Sequence, residues 1–166
     1  MPKRHMLGFL CLRRATWLFR LYPYHRNFNK RIVKQAKLYF YGTGLACTLL
    51  GIEAAAQLES HYLRGALFEN AVILEKMKRS SNAGRIPRLF FWRDHRGREI
   101  GLIEERAHGI EATEIKSGAT LNESYFENLR WFAKTASPSP LSVNLVYGGT
   151  RDTLRGEINV KSWHSV

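Results

Sequence analysis

A chain of 166 residues, 45% hydrophobic and 12% aromatic, has the length of one domain and the composition to bury a core, which excludes a disordered or fibrous polypeptide. Its net charge of +12 is unevenly placed: residues 1–52 hold ten Lys or Arg and no acid, while residues 53–166 set sixteen basic residues against fourteen acidic ones. That asymmetry favours a polyanionic partner, nucleic acid first, with an anionic membrane or an acidic protein surface as alternatives.

The first segment, residues 5–21, fits a helix through Leu7, Leu10, Trp17, Leu18 and Leu21, closed by Pro23. Its apolar run from Met6 to Leu12 is broken by Arg13 and Arg14, too short for a membrane span, although a basic helix lying on a membrane surface remains an alternative. Residues 22–42 mix aromatic and basic side chains and read as extended or hairpin structure, with LYFY at 38–41 as a short buried strand. Gly42 and Gly44 form a turn, LACTLL gives a short helix stopped at Gly51, and a second short helix covers 52–59.

From His61 the pattern changes to a long helix that is apolar nearly all round its centre (Leu67, Phe68, Ala71, Val72, Ile73, Leu74, Met77), as expected of a buried helix. SSNAG at 80–84 is its loop. RLFFWRD, REIGLIEE and GIEATEIK follow as three strands, the first two joined by the tight turn HRGR. A helix begins at Asn122 or Glu123 with Tyr125, Phe126, Leu129 and Phe132 inward, and LSVNLVYGG and INVKSW are further strands. Short connections make the first three strands antiparallel, and the intervening helix allows a parallel crossover to the fourth. The expectation is an α/β fold, a mixed sheet flanked by helices, with a basic helical and hairpin subdomain over residues 1–60 and the main domain over 61–166.

Cys11 and Cys47 stand alone, and the six histidines make no HxxxH or HxH pair. Zinc and a disulfide scaffold are thereby disfavoured, and a reducing, cytoplasmic setting is implied.

The chemistry-bearing stretch is Glu114-Ile115-Lys116. Strand alternation puts Glu114 and Lys116 on one face, about 6.6 Å apart. A metal-dependent phosphodiesterase needs carboxylates to hold a hard cation and a positive group near the developing charge. Glu69, an acid inside the buried helix, is a further candidate, since an unpaired charge there would be costly. The bland alternative is a surface ion pair between Glu114 and Lys116, with Glu69 paired to an arginine.

The order of elements and several motifs resemble the C-terminal domain of unknown function that follows the ATPase module of many bacterial and archaeal AAA-type ATPases. The resemblance runs through PYHRNFNKRIVKQAKLYFYGTGLA, RGALFENAVILEKMK, FFWRDHRGREIGLIEE, EATEIKSG and LVYGG with Trp163. It implies a restriction-endonuclease-like, PD-(D/E)xK fold with an α-β-β-β-α-β core. It also implies catalytic roles for Glu69, Glu114 and Lys116, with Mg²⁺ or Mn²⁺ held by Glu69, Glu114 and Glu99 if the site works. The family's second-strand triplet is Glu, apolar, Asp, whereas here it is Glu99, Ile100, Gly101. Gly42 and Thr150 also stand where the family often carries an acid. Glu99 lies two residues from Gly101, too far for simple replacement, and Glu104 falls on the opposite face unless a bulge at Gly101 breaks the alternation.

No GxxxxGK followed by Ser or Thr occurs, so no ATP binding through a P-loop and no ATPase activity is expected, and the resemblance implies either a truncated relative or a free-standing domain. Three functions stay open. The first is a nuclease-like module, degenerate in its metal site, that binds nucleic acid, DNA foremost, through Arg20, Arg26, Lys30, Arg31, Lys34 and Lys37. The second is a protein-interaction module docking on an ATPase or on another copy of itself, and the third an active metal-dependent DNA endonuclease. Exposed aromatics of the basic third could stack on bases, but Trp17, Tyr39 and Phe40 are better read as core.

Overall fold

The computed structural model describes residues 17–24, 35–136 and 140–166. It is a mixed α/β fold built on one eight-stranded sheet, in the order β2-β1-β3-β4-β5-β6-β8-β7. The strands are β1 (Leu18–Pro23), β2 (Lys37–Phe40), β3 (Leu89–Arg93), β4 (Glu99–Arg106), β5 (Gly109–Lys116), β6 (Ser142–Tyr147), β7 (Thr153–Arg155) and β8 (Ile158–Ser162). The helices are α1 (Thr43–Leu49), α2 (Ala55–Ser60), α3 (Arg64–Asn82) and α4 (Ser124–Thr135). A 3-10 turn, Trp163–Ser165, follows β8.

β3, β4 and β5 pair antiparallel, and α4 carries the chain across to β6, which lies parallel to β5. These are the pairings that the short connections and the crossover helix lead one to expect. α3 covers one face of the sheet, where Val72 and Ile73 pack with Leu21, Tyr39, Phe91, Leu102, Ile115 and Val146. α4 covers the other, where Phe126, Leu129 and Phe132 pack with Trp92, Ile100, Ile103, Ala112 and Leu145.

The expected helix over 5–21 is corrected at its end. Leu18–Pro23 is a strand, and residues 5–16 lie outside the described residues. Leu18 and Leu21 suit a helical stripe, but Leu21 and Pro23 also alternate with the exposed Arg20 and Tyr22. Pairing decides the matter: β1 runs antiparallel to β2 from Leu18↔Phe40 to Leu21↔Lys37, then parallel to β3 at Tyr22↔Phe90. Tertiary hydrogen bonding here overrides a local helical pattern. Trp17, expected in the core, is 46% exposed, whereas Tyr39 is buried as expected. The loop drawn from residue 80 begins later, because α3 continues to Asn82, and β7 had no visible alternation to announce it.

One irregularity positions everything that follows. Phe90 faces Ile103, but Trp92 faces Ile100, so β4 spends one residue more than β3 between these pairs. This is a β-bulge at Gly101–Leu102. Ile100 and Ile103 therefore both point to the α4 face, while Leu102 points to the α3 face.

Candidate functional site

The site grows out of that bulge. Pairing between β4 and β5 ends at Leu102↔Thr113, and Glu114–Lys116 continue beside β6 alone. In the gap where the strands part, the Glu114 carboxylate accepts a hydrogen bond of 3.4 Å from the Gly101 N–H. On the α3 side, a Cβ placed on residue 101 would lie 4.0 Å from Glu69 Oε2 and 3.9 Å from the Thr113 carbonyl oxygen, ordinary contact distances. Glu69 and Glu114 thus flank Gly101. A β-carbon at this position would meet only ordinary contacts.

The surrounding carboxylates are all engaged. Lys37, from β2, donates to Glu69 Oε1 at 3.0 Å and makes a close ion pair with Glu99 Oε1. The Tyr39 hydroxyl donates to the same Glu69 oxygen, and Arg93 forms a close pair with the second Glu99 oxygen. Lys37 and Tyr39 share a face because they are two apart in a strand. Glu114 pairs with Lys116 Nζ at 2.7 Å, and Lys116 lies 6.0 Å from the centre of the Tyr125 ring on α4. Glu69 is therefore not paired to an arginine but to a lysine and a phenol.

The electrostatics follow from this packing. Burial alone would lower the Lys37 pKa, but Glu69 and Glu99 outweigh it and hold the ammonium above its ordinary value. Burial, reinforced by Glu69, raises the Tyr39 phenol so far that it stays neutral, a permanent donor to Glu69. Burial also raises Glu114 above the usual carboxylate range, against the opposing pull of Lys116 and the Gly101 N–H.

Among the residues expected to bind nucleic acid, Arg20 is exposed on β1, while Arg26, Lys30, Arg31 and Lys34 lie outside the described residues. Lys37 is reassigned: its ammonium points inward between two carboxylates rather than out toward a phosphate. Two participants were missed, Tyr39 and Arg93. The Lys-x-Tyr spacing of β2, identical in period to Glu-x-Lys, was the available signal for Tyr39. Gly42 proves to be the N-cap of α1, with no side-chain cap, so an acid at that position would serve the helix end.

Glu104 is also resolved by the bulge. It stands on the α3 face, 2% exposed, held by Lys76 at 2.9 Å and Arg106 at 2.6 Å, and is occupied there rather than available to the site.

Do these residues fit a divalent metal? Mg²⁺ and Mn²⁺ require several oxygens converging on one point. Among the described residues no three Asp, Glu, His or Cys side chains form a group able to hold an ion. The Lys37 ammonium already pairs with two of the carboxylates. The set does not fit a Mg²⁺ or Mn²⁺ centre as it stands.

Residues 64–165, more than half of the chain, match the family described as domain of unknown function DUF4143. The chain belongs to the DUF4143 family. Residues 9–56 match a second domain of unknown function, DUF8612. No curated protein and no solved structure matches the chain. The DUF4143 segment supplies Glu69, Glu99, Gly101, Glu114 and Lys116, and the DUF8612 segment supplies Lys37 and Tyr39. The cluster is thus assembled from both. No helix among the described residues is long and apolar enough to cross a membrane.

Proposed function

We propose that this chain is a nuclease-like module of restriction-endonuclease-like type, of the kind associated with AAA-type ATPases, whose metal centre has been vacated and which acts by binding nucleic acid. The observation that carries the reading is residue 101. A glycine stands at the point flanked by Glu69 and Glu114, its missing side chain directed at Glu69 across ordinary contact distance. A phosphodiesterase of this type would place a carboxylate there. In its absence, the Lys37 ammonium supplies the positive charge that Glu69 and Glu99 require. The chain's net charge of +12 supports a polyanionic partner.

The test is calorimetric titration of Mn²⁺ into the wild type, Gly101→Asp, and Gly101→Asp combined with Lys37→Met. The wild type gives no binding heat, and the double variant, with its carboxylate restored and its ammonium removed, binds the ion. Saturable binding by the wild type, abolished in Glu114→Ala, would replace this reading with that of an active metal-dependent nuclease.

A second reading, docking of a protein partner, is favoured by an apolar cleft of about 470 Å³ between β2, α1 and α3. Leu38, Leu49 and Leu50 on its walls are 43%, 58% and 38% exposed. Concentration-dependent self-association in the absence of nucleic acid, measured by sedimentation, distinguishes it.

A further inference from the structure

The turn between β3 and β4, Asp94–Arg98, stands immediately beyond the carboxylate cluster, because Arg93 and Glu99 are the last cross-strand pair before it. Its sequence, Arg93-Asp94-His95-Arg96-Gly97-Arg98, is basic, and both neighbouring acids are turned inward. Asp94 is 1% exposed and its Oδ1 accepts from the backbone N–H groups of Arg96 and Arg98, each at 2.9 Å. Two backbone hydrogen bonds close the same loop, Asp94 N to Arg98 O and Gly97 N to Asp94 O. Gly97 takes the left-handed conformation, φ 82°, that such a closure demands. Glu99 is consumed by Lys37 and Arg93.

The result is a rigid tip with exposed His95 and Arg96 and no acid directed outward. Arg98 is held as well, its guanidinium 4.5 Å from the centre of the Trp131 ring on α4. A backbone already fixed by a buried carboxylate loses little freedom when the tip takes up a ligand, which is the condition for productive phosphate contact. Arginine suits this task because its planar fork matches two phosphate oxygens at once.

We propose that this turn is a phosphate-contacting element for duplex DNA, with Arg96 and Arg98 as its principal donors and His95 beside them. The inference rests on the nucleic-acid reading above and extends it to residues outside the cluster. Its test is fluorescence anisotropy of a short fluorescein-labelled DNA duplex, titrated with the full chain over a series of salt concentrations. The comparison pair is Arg96→Ala/Arg98→Ala against Arg85→Ala/Arg88→Ala. The latter pair precedes β3 at the other end of the hairpin and removes the same formal charge.

The tip variant is expected to bind about tenfold or more weaker, with a salt slope shallower by about one per lost contact, while the control changes less than about threefold. Because Arg98 also packs on Trp131, the exposed single variant Arg96→Glu is measured alongside. It weakens binding where Arg88→Glu does not. Equal losses in the two double variants, or none in either, would overturn the assignment while leaving nucleic-acid binding intact. A wild type that does not bind the duplex would bring down the binding reading itself, and this inference with it.

Discussion

Two clusters of carboxylates gather at the two ends of β4, and they differ in exposure and in shape. At the far end Glu104, 2% exposed, lies between Lys76 and Arg106, and Arg106 reaches on to Glu111 at 3.2 Å. At the near end Glu69, Glu99 and Glu114 are likewise neutralised, by Lys37, Arg93 and Lys116. At the far end Glu104 and Glu111 are tied into one network of ion pairs, beside a cavity of about 360 Å³ lined in part by Glu104 and Arg106. The near cluster surrounds Gly101, where an added Cβ would meet nothing closer than 3.9 Å. Counting ion pairs would rank the two ends alike. What separates them is the glycine between Glu69 and Glu114, and the greater access of water to the Lys37 pairs.

This contrast can be broken most directly at the far end. Glu104→Ala leaves Lys76 and Arg106 without the carboxylate between them, and breaking a buried pair this way costs about 3 kcal/mol. Urea unfolding reads the loss. At the near end, Lys37→Met removes an ammonium whose side chain is 22% exposed and leaves Glu69 and Glu99 to Tyr39 and Arg93. Because water reaches these groups, the expected loss by the same measurement is about 1 kcal/mol. If Lys37→Met proves as damaging as Glu104→Ala, the near cluster is a structural network like its counterpart, and the distinction fails.

Much of this fold was legible in the sequence, for physical reasons that can be named. The apolar run of α3, the aromatic inner face of α4 and the turns at HRGR and Gly51 are strong local signals, and local chemistry sets those elements. Glu114 and Lys116 were legible because strand alternation is rigid. Glu104 was not, since its face depends on the bulge where the register shifts between Phe90↔Ile103 and Trp92↔Ile100, a property of two strands together. The same holds for β1. Leu18 and Leu21 fit a helix in isolation, and only the partners β2 and β3 make them a strand. Lys37 read as a phosphate contact because its sequence neighbours are basic, whereas its spatial neighbours are acids about 30 and 60 residues away.

Gly101 itself offers a sharper test. If the glycine were demanded by the backbone, as Gly97 is, any side chain would strain it. Its φ is not in the left-handed region, and an added Cβ meets nothing closer than 3.9 Å. Gly101→Ala should therefore stabilise the protein by about 0.5 kcal/mol through reduced freedom of the unfolded chain. A loss of stability would mean that the backbone or its neighbours demand glycine at this position.

The smallest effect concerns the proton on Glu114. Burial raises its pKa above the ordinary 4.5, and the opposing pull of Lys116 and the Gly101 N–H does not cancel that rise. A carboxyl whose folded pKa exceeds its unfolded one destabilises the fold when ionised, and the penalty is relieved as pH falls through the raised pKa. Glu114→Gln removes the ionisation. The variant should be the more stable protein at neutral pH, and the gap should close on acidification toward and below 4.5, since both proteins are then uncharged at residue 114. Unfolding curves for the two proteins across this range measure the difference directly. A gap that stays constant with pH would show that Lys116 fully compensates the burial of Glu114. A gap that closes would show a carboxylate kept charged at a cost to the fold.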